Sequence, residues 1–202
     1  MRERNSSRLV NPAETQIDFV EVTHQYFVDG RELPSVSTIM QNLSRDYYAD
    51  IHPVRLAKPA NRRTRVHKAI EMFEKFGIEE EDEEIKPYLR NYKVAKKLKG
   101  FQVINTELML TNHEFCGTLD MMALYKNELV IIDLKATSKL NTILREVQLA
   151  AYLELAIANG FDISKCYCLL IKEDSHKFVE VRPNVMLWEE LKNEHKNQTH
   201  PD

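Results

Sequence analysis

The chain has 202 residues, a length that suits one domain with a small helical elaboration and that buries a core without disulfide or metal staples. Its 43% hydrophobic content is that of a globular protein, and a net charge of −3 argues against a chain that holds nucleic acid by bulk positive charge alone. No apolar run is long enough to span a bilayer, so no membrane association is expected.

The elements follow in chain order. Met1–Arg8 has no apolar stretch behind it and reads as a polar tail rather than a secretory signal, with an Arg- and Ser-rich targeting remnant as the alternative. Residues 17–22 and 25–28 form a hairpin followed by a turn at Asp29–Gly30. Leu33–Ser37 leads into a short helix capped by Ser35 or Ser37. Residues 44–58 include Pro53 and little periodicity, and read as mostly loop. Pro59 opens a helix that runs to Phe76 and stops at Gly77, with Val66, Ala69, Ile70, Phe73 and Phe76 on its apolar stripe. The acidic run Glu79–Glu84 reads as a solvated loop, and a polar helix covers 86–98.

Three strands follow at 101–111, 115–125 and 129–135, then a helix at 141–159, strands at 165–172 and 177–182, and a last helix at 185–196. A three-strand meander feeding a helix and further strands indicates an α/β or α+β fold, a mixed central β-sheet flanked by helices. Residues 1–100 supply the hairpin and the helical part of this single domain, and 101–202 its αβ core. The cysteines are Cys116, Cys166 and Cys168, an odd and sparse set that gives no disulfide framework and points to a reducing compartment. Cys166 and Cys168 alternate with apolar residues and read as strand packing.

The chemistry concentrates at one strand end. Alternation puts Asp133 and Lys135 side by side on one face of 129–135, at the end of a strand that is otherwise apolar on both faces. A surface ion pair at an emerging strand is the bland reading of that pair. Asp120 changes the balance, because it shares a face with Met122 and Leu124, and a carboxylate among apolar side chains requires a partner or a metal. Counting back from the turn at Lys126–Glu128 sets Asp120 level with Asp133 and Lys135. Glu107, on a face with Val103 and Met109, is a third candidate. Converging carboxylates suit Mg²⁺ or Mn²⁺, and a Lys beside them suits phosphodiester hydrolysis. Considered alone, His67 is a packing residue at the edge of its helix's stripe, and Tyr152 and Gln148 are a core residue and its polar rim.

Four motifs stand in order. Arg62-Arg63-Thr64-Arg65-Val66-His67 precedes Gly117-Thr-Leu-Asp120, then Ile131-Ile-Asp133-Leu-Lys135, then Gln148-Leu-Ala-Ala-Tyr152. Together they resemble the RecB-like branch of the PD-(D/E)XK nucleases over roughly residues 60–172. His24–Gly30 and Leu33–Thr38 are in turn similar to the front segment of phage-encoded members and of the mitochondrial genome maintenance exonuclease group.

The resemblance implies a restriction-endonuclease-like core that hydrolyses DNA with Mg²⁺ or Mn²⁺. Asp120, Asp133, the Leu134 carbonyl and His67 would ligate the metal, Lys135 would position water or offset charge, and Gln148 and Tyr152 would order the site. Glu107 would support it. One departure stands out: Arg63 occupies the place of the usual Gly before Thr64, and Arg63, Thr64 and Arg65 become candidate DNA contacts. Some members carry a four-cysteine iron–sulfur cluster, which three cysteines cannot supply, so no cluster is expected.

An exonuclease of phage-type recombination, replication or repair is the implied function, acting on single- or double-stranded ends and leaving 5′-phosphates. A structure-specific or nicking endonuclease and a non-catalytic binding module are the rivals. The implied partners are DNA and a single-strand annealing or replication protein. The implied location is a bacterial host cytoplasm, with the mitochondrial matrix as the alternative. The basic helix pair over 59–98 would cover the site and thread a strand end.

Overall fold

A computed structural model describes residues 15–21, 23–48, 53–136 and 141–199. The polar tail expected at the N-terminus lies outside them. Three short antiparallel strands come first, β1 (Ile17–Val20), β2 (Gln25–Val28) and β3 (Arg31–Leu33). A one-turn helix α1 (Val36–Ile39) follows, capped by Ser35, whose hydroxyl accepts from the Thr38 N–H at 3.0 Å.

Two long-range assignments differ from the sequence expectation. The stretch expected to be loop is helical on both sides of residues 49–52, as α2 (Gln41–Tyr48) and the start of α3 (Pro53–Phe76). Pro53 occupies the first helical position, where the missing N–H costs nothing. Pro59, expected to open the helix, lies inside it, where its fixed φ still fits and one backbone hydrogen bond is forgone. Apolar periodicity is weak over these two turns, so the sequence carries little signal for them.

α4 (Lys86–Lys99) leads to the main sheet, β4 (Gln102–Thr111), β5 (Cys116–Tyr125), β6 (Glu128–Lys135), β7 (Lys165–Ile171) and β8 (His176–Val181), in that spatial order. All pairs are antiparallel except β6–β7, which is parallel and bridged by the crossover helix α5 (Thr142–Ala158). α6 (Val185–Thr199) closes the described chain. This is the mixed sheet flanked by helices that the strand pattern indicates. The tight β5–β6 turn places Lys126 and Asn127 at φ 53° and 65°, the left-handed geometry of a two-residue hairpin.

Each sheet face has its own core. α1, α5 and α6 cover one face, with Leu110, Leu119, Met122, Ile131, Leu149 and Trp188 between the layers. α3 and α4 cover the other, with Ile70, Tyr92, Met121, Val130, Ile132 and Leu134. Both of these helices are thus core layers. Their basic residues mostly meet acids: Arg65 pairs with Glu84 at 2.7 Å and with Asp82, Lys93 with Glu79 at 2.5 Å, and Lys96 with Glu74 at 2.6 Å. The acidic run 79–84 is where three of those partners, Glu79, Asp82 and Glu84, come from.

Candidate active site

The site forms where the β4–β5–β6 ladder breaks. Leu119 packs into the α5 core, yet Met121, two residues later, packs into the α3/α4 core. Regular alternation would put both on one face. On the neighbouring strand Glu107 sits at φ 49°, in the left-handed region that a non-glycine residue seldom adopts. The β5–β6 pairing also ends at Met121–Ile132. Asp120 therefore projects into the opening between strands, reachable from α3 as well as from β6. This corrects the expectation that Asp120 shares a plain apolar face with Met122, which packs into the α5 core while Asp120 meets His67 of α3.

Asp120 Oδ2 accepts from the Leu134 N–H at 2.7 Å. A strand residue's N–H and C=O point to the same side, so the Leu134 carbonyl also faces the opening past the last β5–β6 pair. On the α3 side His67 Nδ1 lies 3.4 Å from Asp120 Oδ1 and 3.9 Å from Glu107 Oε1. His67, Glu107 and Asp120 each offer a ligand atom, and these atoms lie within 4.8 Å of one another.

On β6, Asp133 is 1% exposed. Its Oδ1 accepts from Lys135 Nζ at 2.8 Å, while its Oδ2 is enclosed without a hydrogen-bond partner. The Lys135 ammonium donates in addition to Gln148 Oε1 at 3.0 Å, and Gln148 Nε2 donates to the Tyr152 hydroxyl at 3.1 Å. The i, i+4 spacing on α5 that suggested a shared face thus becomes a relay from Tyr152 through Gln148 to Lys135.

The electrostatics follow from burial and close charges. Burial raises the Asp133 pKa; Lys135 opposes the rise and the Asp120 charge adds to it. Asp120 is held below its usual range: burial works against that, but His67, Lys135 and the Leu134 N–H outweigh it. Burial, then the Asp120 charge, pushes Glu107 up to about 7. His67 and Lys135 are both raised, since their carboxylate neighbours overcome a burial that favours the neutral forms.

A buried carboxylate oxygen with no donor, two further carboxylates and an imidazole make a donor set that fits a hard divalent cation. The predicted nucleic-acid contacts divide. Arg63 and Thr64 are exposed on α3, and the Arg63 charge acts on Lys135. Arg65 is turned away toward Asp82 and Glu84.

Sequence reasoning passed over Glu71, one helical turn beyond His67 on α3, whose carboxylate is held by Lys68 at 2.9 Å and Lys75 at 2.7 Å and acts on Glu107. Its i, i+4 spacing from His67 was the available signal. Tyr26 was missed as well. Its hydroxyl bonds Thr118 Oγ1 at 2.8 Å and ties the N-terminal sheet to the strand that carries Asp120.

The family model of the PD-(D/E)XK nuclease superfamily matches residues 38–199. Among solved structures, the chain is similar to SSO0001 at 18% identity and a TM-score of 0.35, covering 56% of this chain and 58% of that one. It is also similar to a phage-related exonuclease from Haemophilus somnus 129PT at 9% identity and a TM-score of 0.38, covering 83% of this chain and 96% of that one. No curated protein matches the sequence.

Proposed function

Because the chain belongs to the PD-(D/E)XK nuclease superfamily, whose members are phosphodiester hydrolases, we propose that it is a Mg²⁺- or Mn²⁺-dependent exonuclease that hydrolyses DNA from its ends. The observation that carries this reading is Lys135, held between Asp133 and Gln148 beside a second carboxylate, Asp120, on the adjoining strand. The exonucleolytic mode and a place in recombination, replication or repair rest on the likeness of the four motifs to the RecB-like branch.

A bound divalent cation supplies Lewis acidity at the phosphodiester and lowers the pKa of the attacking water. Asp120, Asp133, His67 and the Leu134 carbonyl would hold it, with Glu107 in support. The rest belongs to the chain. An ammonium has three donors, and two of Lys135's are spent on Asp133 and Gln148. The third has no partner among the described residues and would orient the water or meet charge growing on a phosphate oxygen. Gln148, itself held by Tyr152, keeps that third donor aimed. Asp133 and Asp120 keep Lys135 protonated despite its burial. Arg63 and Thr64, exposed on α3, would meet the strand's phosphates.

End-labelled linear DNA and covalently closed circular DNA test the reading side by side with Mg²⁺, with Mn²⁺ and with EDTA. The expected result is metal-dependent release of label from linear strands and an intact circle. A nicked or linearised circle would make the enzyme an endonuclease. No cleavage of single or double strands with either metal would reduce it to a binding module.

A further inference from the structure

α5 carries a cation that none of these contacts employs. Arg145 is 9% exposed, and its Nε is enclosed without a hydrogen-bond partner. Among the described residues no carboxylate forms an ion pair with it. Its guanidinium hydrogen-bonds the Cys168 thiol, which is only a weak acceptor. Burial pushes that thiol up to about 11, with Asp133 adding to the rise and Arg145 opposing it. The thiol is therefore neutral and does not balance the guanidinium. A largely buried guanidinium with a neutral thiol as its partner and an enclosed, unsatisfied Nε gains from an anion beside it.

Its position says which anion. Cys168 pairs in register with Asp133 across β6–β7, strands that lie about 4.8 Å apart. Cys168 and Ile131 both face α5, as does Asp133 through Lys135 and Gln148. The partnerless Asp133 Oδ2 and the partnerless Arg145 Nε thus flank one thiol on one face. The first lacks a cation and the second an anion. α5 connects parallel strands, so its N-terminus lies at the end of β6 that carries Asp133 and Lys135. Helical side chains lean toward the N-terminus, which carries Arg145 to that end, where the helix dipole also favours negative charge.

We propose that Arg145 binds a phosphate of the nucleic-acid strand next to the one being hydrolysed, either an internal phosphodiester or a terminal monophosphate. The inference rests on the nuclease reading and adds to it the group that sets where the strand lies relative to the metal. A planar guanidinium suits a phosphate's paired oxygens.

The test is binding of a short fluorescent single strand, with a 5′-phosphate or a 5′-hydroxyl, to the full chain in EDTA over a series of salt concentrations. Arg145→Gln is expected to weaken binding about tenfold and to lower the salt slope by about one. Arg145→Lys should restore the slope but not all of the affinity. A loss confined to the 5′-phosphorylated strand identifies the terminal group; an equal loss on both identifies an internal phosphate. A folded Arg145→Gln that binds both strands with wild-type affinity and slope overturns the proposal.

Should that variant melt below the assay temperature, hydrogen exchange of the wild type decides. The first turns of α5 are expected to be protected by the strand, and unchanged exchange there overturns the proposal. Digestion of DNA by the wild type is followed in parallel. A wild type that digests DNA while Arg145→Gln binds normally sinks the phosphate site alone; a wild type that neither binds nor digests sinks the nuclease reading with it.

Discussion

A Cβ placed on Gly117 would stand 3.0 Å from Cε1 of Tyr152, and also 2.9 Å from Val36 and 3.1 Å from Leu155. The glycine of the Gly-x-x-Asp motif is therefore a clearance for α5, not a turn. Through Tyr152 it touches the relay that positions Lys135. Gly117→Ala is expected to destabilise the fold by about 1–3 kcal/mol through overpacking. It should also lower the cleavage rate at temperatures where the variant is still fully folded. A thermal melt paired with a single-turnover rate separates the two effects; an alanine variant with wild-type stability and rate would contradict the packing account.

Lys135→Ala leaves Asp133 without its donor, and Asp120→Asn removes a carboxylate that accepts from Leu134 and faces His67. Each substitution should lower kcat by about a hundredfold or more. Gln148→Ala frees Lys135 without removing it and should cost less, about tenfold at 1.4 kcal/mol per factor of ten. Rates of release from a labelled strand give the ranking, and a Gln148 variant slower than the Lys135 variant would reverse it.

Metal affinity should rise with pH. Glu107 is pushed up to about 7 by burial and by Asp120, and His67 is raised because Asp120 outweighs its burial. In the metal-free protein both groups hold their protons to higher pH than an ordinary carboxyl or imidazole, and a cation ligated there displaces them. Affinity is thus greatest above both pKa values and is lost as the pH falls below about 7. Calorimetric titration with Mn²⁺ at low and high pH, in buffers of different ionisation enthalpy, reads the affinity and the released protons together. Glu107→Gln should flatten the dependence, and pH-independent affinity in the wild type would contradict the ligand set.

Cys116, Cys166 and Cys168 are all buried. Burial raises all three thiols, Cys166 to about 12 and Cys168 to about 11. Thiolate is the reactive form, so a thiol reagent should label the native protein slowly and the denatured chain rapidly. Rapid native labelling of Cys166 or Cys168 would show that the α5 layer opens readily, and of Cys116 that the N-terminal sheet does.

The parts of the site that depend on secondary-structure period alone were readable from sequence. Asp133 and Lys135 meet because a strand repeats every two residues, and Gln148 and Tyr152 align because a helix repeats near every four. The convergence of Asp120 with Glu107 was readable, but not its geometry. The reversal of faces between Leu119 and Met121, with Glu107 in the left-handed region, is a backbone feature without a composition signature. Arg65 looked like a phosphate contact until the chain brought Asp82 and Glu84 to it, a pairing across 17 and 19 residues. Arg145 carries the opposite lesson. In sequence it resembles any surface arginine on a helix, and only the packing of α5 on β7 reveals that it is enclosed, with no carboxylate partner among the described residues and an unpartnered Nε.

The central claim is that Lys135, clamped between Asp133 and Gln148, acts with a metal held at Asp120 and Asp133. Its most direct test is digestion of an end-labelled single strand by wild type and by Lys135→Ala at equal, verified foldedness, with Mn²⁺, Mg²⁺ or EDTA. The account predicts cleavage by the wild type with either metal, none in EDTA, and at least about a hundredfold loss in the variant. Cleavage that persists in EDTA, or a Lys135→Ala variant that matches the wild type, would contradict it.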